Sequence, residues 1–363
     1  MVTKAGKKTY GLDRFFSSLY GKPVPGLSFF ALSLISVKER RSYPMMVEQM
    51  VRTEVEKATA KTKAQQKIAT HKSTKNTNRG KPGRPQGSKN REKTPVVLSL
   101  ELQRIQMMIQ KQLERIKGAI SLPHMVLDGH FGNNPAMHMV RGCGVHLISK
   151  LRHDAALYFP YEGPYAGRGP RRKYGSKLDY THIPGKYLKR TTVEDNIQTH
   201  IYQATMWHKE FANPLNVVII VKMHLKTHAR AHVVLFSSDR VLSDEPLIDY
   251  YSLRFQIEFN FRDAKQYWGL EDFMNVKQTA VNNAANLALF MVNVAHLLLK
   301  PFRQDHPTFG ILDLKAYARG HKYVCETLKL LPQKPEPIVM AQMLDQIAKL
   351  GSVHNAELAL NIS

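Results

Sequence analysis

The feature that most limits how this chain can fold is a strongly basic segment at residues 57–93. It contains twelve Lys and Arg residues against a single acid, Glu92, which gives a local charge of +11, and it has no aromatic residue. A segment of this composition buries too little apolar surface to offset the entropy lost on folding. We therefore expect a basic arm that separates a short N-terminal part of the chain from a longer C-terminal part.

One arginine in this arm, Arg84, lies in the sequence RGKPGRPQGSKN, whose Gly-Arg-Pro centre resembles an AT-hook. In that motif an extended backbone places Arg in the narrow minor groove of A/T-rich DNA. A generic basic linker is the alternative interpretation, and both would add contacts to DNA phosphates. We therefore expect Arg84 to contribute to DNA binding.

The composition of the whole chain predicts a polyanionic partner. The chain carries 53 Lys and Arg against 29 Asp and Glu, a net charge of +24. Nucleic acid is the first candidate, with ribosomal or membrane surfaces as weaker alternatives. Cys143 and Cys325 are isolated in the sequence, which favours a reducing cytoplasm over a disulfide framework or a zinc site. The apolar run at residues 287–299 is too short to span a bilayer, so we predict a buried helix and no membrane partner.

Residues 251–265, YSLRFQIEFNFRDAK, place four polar side chains on one side of a predicted helix. At about 100° per residue, Tyr251, Arg254, Glu258 and Lys265 fall within a sector of roughly 60°. A carboxylate between cations can hold a divalent metal while the cations grip phosphates beside it. A solvated helix face shows similar charge spacing and is the alternative.

The apolar positions of the same stretch are expected to bury this helix against the core. We expect the helix to begin after Ser243 and to run to about Tyr267, because Asp244, Glu245 and Pro246 are favourable in a first turn. The positions expected to be buried are Phe255, Ile257, Phe259 and Phe261.

A second candidate acid, Asp128, ends the apolar run HMVLD and is followed by Gly129, Phe131 and Gly132. This order predicts a strand that delivers a carboxylate at its C-terminal end, where ligand sites of α/β sheets lie. A helix cap or turn acid is the alternative. Asp239 also follows an apolar run, and we interpret it mainly as a turn or cap residue.

The rest of the chain alternates between predicted strands, helices and loops. Residues 27–37 and 197–236 predict strands, and residues 45–56 favour a helix by propensity. A helix after Thr94 is predicted from Leu102, Ile105, Ile109 and Leu113 at spacings of three and four. Residues 161–191 are rich in Gly, Pro and basic residues, and Tyr165, Tyr174 and Tyr180 line either a DNA path or a surface loop.

The spacing Y-x2-R-x3-E-x6-K, in the setting RFQIEFNFRDAKQYWGLEDF, resembles the signature of insertion-sequence transposases of the IS-four type. That family belongs to the DDE transposases. The resemblance implies that Glu258 is the last of three metal-binding carboxylates and that Asp128 is the second. It also implies that Tyr251, Arg254 and Lys265 contact transposon-end DNA.

The resemblance implies an α/β fold, a ribonuclease-H-like mixed sheet flanked by helices, with a β-rich insertion before the signature helix. In the family an Asp-Asp-Thr group with the first catalytic Asp precedes a Gly-Lys-Lys group, which is present here as Gly6-Lys7-Lys8. We therefore expect the first catalytic Asp to lie just before Met1. We also expect the chain as written to bind DNA without cutting it. Asp13 does not match its position. The expected segments are 1–56 (start of the core), 57–95 (arm), 96–144 (core with Asp128), 145–238 (insertion), 239–300 (core with the signature) and 301–363 (peripheral tail).

The function implied by the resemblance is DNA transposition. A complete site would hold two Mg²⁺ ions, with Mn²⁺ as a substitute, and would cut and join strands. The implied partners are double-stranded DNA, as terminal inverted repeats and target, and a second copy of the chain on DNA, in a prokaryotic cytoplasm at the nucleoid. A DNA-binding remnant that no longer cuts is the alternative, while general RNA binding is disfavoured because no RNA-recognition signature occurs.

Overall fold

The structure is a computed structural model that describes residues 2–4, 8–17, 20–53, 96–165, 167, 171–333, 335–350 and 353. The basic arm with Arg84 lies outside these ranges. The chain divides into two compact units. The first unit comprises Met1–Leu34, Ser42–Val51 and Ile257–Ser363, and the second comprises Ile35–Arg41 and Arg52–Gln256.

The strands and helices alternate along the described part of the chain. The strands are β1 (Val2–Thr3), β2 (Asp13–Ser17), β3 (Lys22–Ser36), β4 (Arg41–Met50), β5 (His124–Val126), β6 (His146–Leu151), β7 (Leu157–Pro160), β8 (Tyr174–Lys177), β9 (Leu188–Glu194), β10 (Ile197–His208), β11 (Leu215–His224) and β12 (Arg230–Ser237). The α-helices are α1 (Leu100–Ile116), α2 (Asn134–Gly142), α3 (Asp244–Leu253), α4 (Gln256–Trp268), α5 (Gln278–Asp305), α6 (Ile311–Leu328) and α7 (Pro337–Lys349).

The first unit is built on a four-stranded sheet in the order β1-β3-β2, with β4 also paired to β3. Apolar side chains of β1, β4, α4 and α5 meet in one buried cluster that includes Val2, Val47, Ala264 and Leu289. A second cluster joins α5 to the following segment through Leu299, Phe309 and Leu314. Residues 301–363, which we expect to be peripheral, therefore contribute buried side chains to this unit.

Helix α5 is buried on one side and exposed on the other. Its residues Val281, Ala285, Val292 and others on the same side are fully buried, whereas Leu287 on the other side is 60% exposed. By length and composition alone it is apolar enough to cross a membrane, with a mean hydropathy of 1.4 over 18 residues. A core helix passes the same test, and the buried side of α5 packs against the sheet of its own unit. The predicted helix is thus present but buried on one side only.

The second unit contains an eight-stranded mixed sheet in the order β5-β6-β12-β11-β10-β7-β8, with β9 paired to β10. Strands β5 and β6 are parallel, and the other pairs are antiparallel. Helix α2 packs on β6, and α3 packs on β6, β11 and β12. The expected α/β class, a mixed sheet flanked by helices with a β-rich segment before the signature, is confirmed. The strands of that segment continue the sheet that begins with β5.

The predicted helix at residues 45–56 is wrong. Residues 41–50 form strand β4, and Ser42, Met46 and Val47 are buried in the first unit. The helix propensity of Met, Glu and Gln amounts to tenths of a kcal/mol per residue, so the pairing with β3 and the burial of one face outweigh it. Helix α1 and strands β10 to β12 agree with their predictions, and β3 begins five residues earlier than predicted.

Candidate functional site

Asp128 lies immediately after β5, at the C-terminal end of that strand. Its backbone carbonyl accepts hydrogen bonds from the Ser149 hydroxyl at 2.8 Å and from Phe131 N at 3.0 Å. Its carboxylate accepts from His130 N at 2.6 Å and caps the short helical turn at Gly129–Phe131. The side chain is exposed. The predicted strand and the predicted cap are therefore both present at this acid.

Gly132, four residues after Asp128, has a packing role. A Cβ atom added to Gly132 would lie 2.1 Å from the carbonyl oxygen of Lys150 on β6, whereas one added to Gly129 would meet Lys150 at 3.7 Å. Only a glycine lets the turn after Asp128 approach β6 so closely. This close contact fixes the turn that presents the Asp128 carboxylate.

Helix α3, which packs on β6, carries the first two signature residues, Tyr251 and Arg254. Leu247 is fully buried in a cluster with Ile148 of β6 and Leu235 of β12, and Tyr251 packs against this cluster. Burial raises the pKa of Tyr251, the Arg254 guanidinium opposes this, and the Asp128 carboxylate adds to it. The charges of Asp128 and Arg254 therefore both act on the Tyr251 phenol, in opposite directions.

Arg254 ends α3 with unused hydrogen-bonding capacity. Its guanidinium carbon lies 5.6 Å from the centre of the Tyr251 ring. Its Nε atom is buried and has no hydrogen-bond partner among the residues that the structure describes. A guanidinium that keeps a free N–H can bind a phosphate oxygen with a charge-assisted hydrogen bond.

The signature does not lie on one continuous helix, as we expected from its spacing. Helix α3 ends at Leu253, two tight turns follow through Arg254 N to Tyr251 O and Phe255 N to Ser252 O, and α4 begins at Gln256. The predicted helix to Tyr267 is therefore two helices. Glu258 and Lys265 belong to α4 in the first unit, whereas Tyr251 and Arg254 belong to the second.

The expected burial of α4 is also wrong in part. Phe255 and Phe259 are 48% and 36% exposed. The buried side of α4 instead carries Asn260, Asp263 and Ala264, and Asn260 donates to the Ser42 hydroxyl of β4 at 2.9 Å. The break before Gln256 changes which side of the following helix faces the core.

The other two signature residues lie on accessible positions of α4. Glu258 is exposed in the first turn, where the helix dipole favours a negative charge. Lys265 pairs with Glu271 at 2.8 Å, with both side chains about one third exposed. Glu271, the partner of Lys265, follows in the same motif, within GLEDF, but its spacing from the signature residues does not by itself indicate the pair.

The donor set for a divalent metal is incomplete within what the structure describes. No group of three or more His, Cys, Asp or Glu side chains able to hold a metal ion occurs among the described residues. Asp128 and Glu258, the two predicted ligands, belong to different units. Two-metal centres rely on several carboxylate oxygens, so the described residues do not by themselves fit such a centre.

Asp239 is engaged in a different setting, beside the start of β5. Its carboxylate meets His124 Nε2 at 3.0 Å and accepts from Val241 N at 3.1 Å. Burial raises the pKa of Asp239, but the hydrogen bonds from His124 and Val241 N outweigh this and lower it overall. These contacts agree with our interpretation of Asp239 as a turn residue. Asp13 opens β2, where its carboxylate accepts from Arg14 N at 2.7 Å.

The fold and site define a class of protein with a mixed sheet, an acid at a strand end and an arginine at the end of a helix that packs on the same sheet. Comparison with family models identifies the class: residues 1–214, more than half of the chain, match the DDE superfamily endonuclease family, so the chain belongs to that family. The match includes Asp128 and ends before the signature residues. No curated protein matches the chain. Endonucleases of this family act on DNA and in general depend on divalent metals, which supports a transposase or nuclease activity.

Proposed function

We propose that this chain is a transposase of the IS-four type that binds transposon ends as double-stranded DNA and that, in complete form, cuts and joins their strands. The observation that carries the proposal is that Asp128, at the end of a strand, lies in the same unit of a DDE endonuclease as Tyr251 and Arg254. Two of these residues belong to the Y-R-E-K signature and the third is the acid at the strand end. The net charge of +24 supports a polyanionic substrate.

Each side chain has a proposed role. In a complete site Asp128 and Glu258 would each be a carboxylate ligand of Mg²⁺, for which Mn²⁺ could substitute. Tyr251, Arg254 and Lys265 contact the transposon-end DNA, and the two cations bind its phosphates. In such a complete site the metal would supply Lewis-acid stabilisation of charge on the phosphate oxygens. The chain's own residues orient the DNA backbone by charge-assisted hydrogen bonds.

The proposed setting follows from the same assignment. The substrate ends are terminal inverted repeats and the acceptor is target DNA. A homodimer on DNA would place one site at each end. The proposed location is the cytoplasm of a prokaryotic cell, at the nucleoid.

The test separates DNA binding from strand cleavage in two variants. Glu258→Gln should abolish Mg²⁺-dependent nicking of labelled DNA from the element's own ends while retaining DNA affinity, because it removes a metal ligand and keeps the side-chain shape. Arg254→Ala should weaken DNA binding by roughly tenfold, the scale of one charge-assisted hydrogen bond. Full nicking by Glu258→Gln would show that the signature Glu is misassigned. DNA binding without nicking by the unmodified chain would favour a non-cutting DNA-binding protein.

A further inference from the structure

Three aromatic side chains form a contiguous cluster on one face of the sheet in the second unit. Trp207 of β10 lies directly opposite Tyr158 of β7 in the antiparallel pair. The ring of Tyr174, on β8, lies 5.6 Å from Tyr158 and 5.9 Å from Trp207 between ring centres, in edge-to-face geometry. All three side chains are only partly buried. We call Tyr158, Tyr174 and Trp207 the aromatic surface.

Three exposed lysines frame the aromatic surface. Lys209 Nζ lies 5.1 Å from the centre of the Tyr158 ring, and Lys173 Nζ lies 5.4 Å from that of Trp207. Lys177 is paired with Tyr158 across β7 and β8. Within the described residues, none of these lysines has a carboxylate within ion-pair distance. Exposed cation–π contacts are weak, so a phosphate can replace the ring as the partner of each ammonium group.

The aromatic surface is separate from the acid at the end of β5. One line across the sheet relates the two places. Thr205, near the end of β10, pairs with Asn216 of β11, and Asn216 pairs with Ser237 of β12. Ser237 in turn pairs with Ile148, near the start of β6. The last residues of β10 therefore lie toward the end of the sheet where β6 starts, whereas Asp128 follows the C-terminal end of β5. A ligand on the aromatic surface makes a second, distinct contact with the chain.

We infer that the aromatic surface binds unpaired DNA, with bases stacked on its rings and the flanking phosphates held by Lys173, Lys177 and Lys209. Aromatic side chains accept any base because every base has a flat π-face, and neighbouring cations track the backbone. A duplex keeps its base faces stacked inside, so it uses the lysines but not the rings. This inference rests on the proposed function, since cutting a duplex is what exposes unpaired nucleotides.

The first experiment uses tryptophan fluorescence, because the chain has two tryptophans, Trp207 and Trp268. Titration of the full chain with a short thymidine oligonucleotide should quench the emission. Trp268→Phe should retain the quenching, whereas Trp207→Phe should lose most of it while still binding the labelled oligonucleotide. Quenching that disappears in Trp268→Phe and persists in Trp207→Phe would overturn the assignment.

The second experiment measures affinity. Trp207→Ala should lower affinity for the oligonucleotide about tenfold, and for a duplex of the same length less than twofold. The double variant Lys173→Gln/Lys209→Gln should reduce the salt slope of single-strand binding by about 1.4, because each lysine that neutralises a phosphate of a single strand adds about 0.7 to that slope. Lys111→Gln, an exposed lysine on α1, is the matched control and should change neither quantity. Retained binding in Trp207→Phe, together with an unchanged unfolding midpoint, separates a stacking defect from a folding defect.

The outcomes distinguish this inference from the proposed function. Unchanged oligonucleotide affinity in Trp207→Ala and in the double lysine variant would overturn the aromatic surface while leaving nicking of element ends intact. Absence of nicking in every form, with oligonucleotide binding still dependent on Trp207, would instead overturn the proposed activity. Tighter binding of a uridine ribonucleotide oligomer than of the thymidine oligomer would also overturn the inference, because it would assign the surface to RNA.

Discussion

The two ends of strand β5 each hold an acid that follows an apolar strand, and the two acids are used differently. Asp239 lies beside His124 at the start of β5, with its side chain only 15% exposed and its carboxylate bonded to a ring nitrogen and a backbone N–H. Asp128 lies past the other end, exposed, and its carboxylate caps one turn through His130 N. Asp128 is four positions after His124, a distance of about 13 Å along an extended chain.

This contrast shows that an acid after a strand does not by itself indicate a site. The bonding capacity of Asp239 is taken up by neighbours that also fix the turn leading to α3. Asp128 keeps most of its capacity, and Arg254, in the same unit, retains a buried N–H without a partner within the described residues. Unused capacity on both a carboxylate and a guanidinium is suited to a ligand that brings cations and phosphates.

The sharpest test of the contrast exchanges each acid for its amide. Asp128→Asn should lower metal-dependent nicking of element-end DNA by about 100-fold or more, because it removes the charge that a metal ion needs. Asp239→Asn, the matched variant at the other end of β5, should change nicking by less than about threefold when assayed below its unfolding temperature. Equal decreases of activity in the two variants, with both folded, would show that the two ends do not differ in function.

The sequence predicted this contrast only in part. The strand before Asp128 and the turn role of Asp239 follow from local order, since apolar runs and turn acids act over a few residues. The sequence does not predict the break at Arg254 and Phe255, because the helical spacing of the four signature residues continues across it unchanged. The contacts that end α3 depend on packing against distant strands, which a periodic pattern does not contain.

Long-range pairing accounts for the other differences. Tyr158 and Trp207 are 49 positions apart in sequence and become neighbours only because β7 pairs with the end of β10. The sequence instead indicates Tyr165, Tyr174 and Tyr180 as the aromatic residues of a DNA path or of a surface loop. Tyr180 donates to Ala155 O at 2.8 Å, and burial with nearby Asp154 raises its pKa to about 12. Tyr180 is thus committed to contacts with Ala155 and with the ring of His232 on β12, and only Tyr174 of the three belongs to the aromatic surface.

A second test concerns how the end of β5 with Asp128 is held. Gly132→Ala should lower the free energy of unfolding by about 1–3 kcal/mol, because its Cβ would overlap the Lys150 carbonyl and force the turn away from β6. Gly129→Ala, three residues earlier in the same turn, meets its neighbours at ordinary distance and should cost less than about 0.5 kcal/mol. Denaturant unfolding of both variants measures the difference. Equal costs would show that the turn is not tightly packed on β6.

The smallest expected effect is on the free energy of unfolding. It concerns Asp239, beside the start of β5, and it depends on pH. The pKa of Asp239 is lowered in the folded chain, with the His124 and Val241 hydrogen bonds outweighing the opposing effect of burial. A lowered folded pKa contributes stability above the unfolded value of about 3.9, and this contribution is lost as the pH falls through the folded pKa. Asp239→Asn should therefore cost about 1 kcal/mol at pH 6, the scale of one hydrogen bond, and progressively less below about pH 4. Glu194→Gln, an exposed acid at the end of β9, is the control and should show no such trend. A cost for Asp239→Asn that stays constant from pH 6 to pH 3 would mean that its stabilising contacts do not depend on the carboxylate charge.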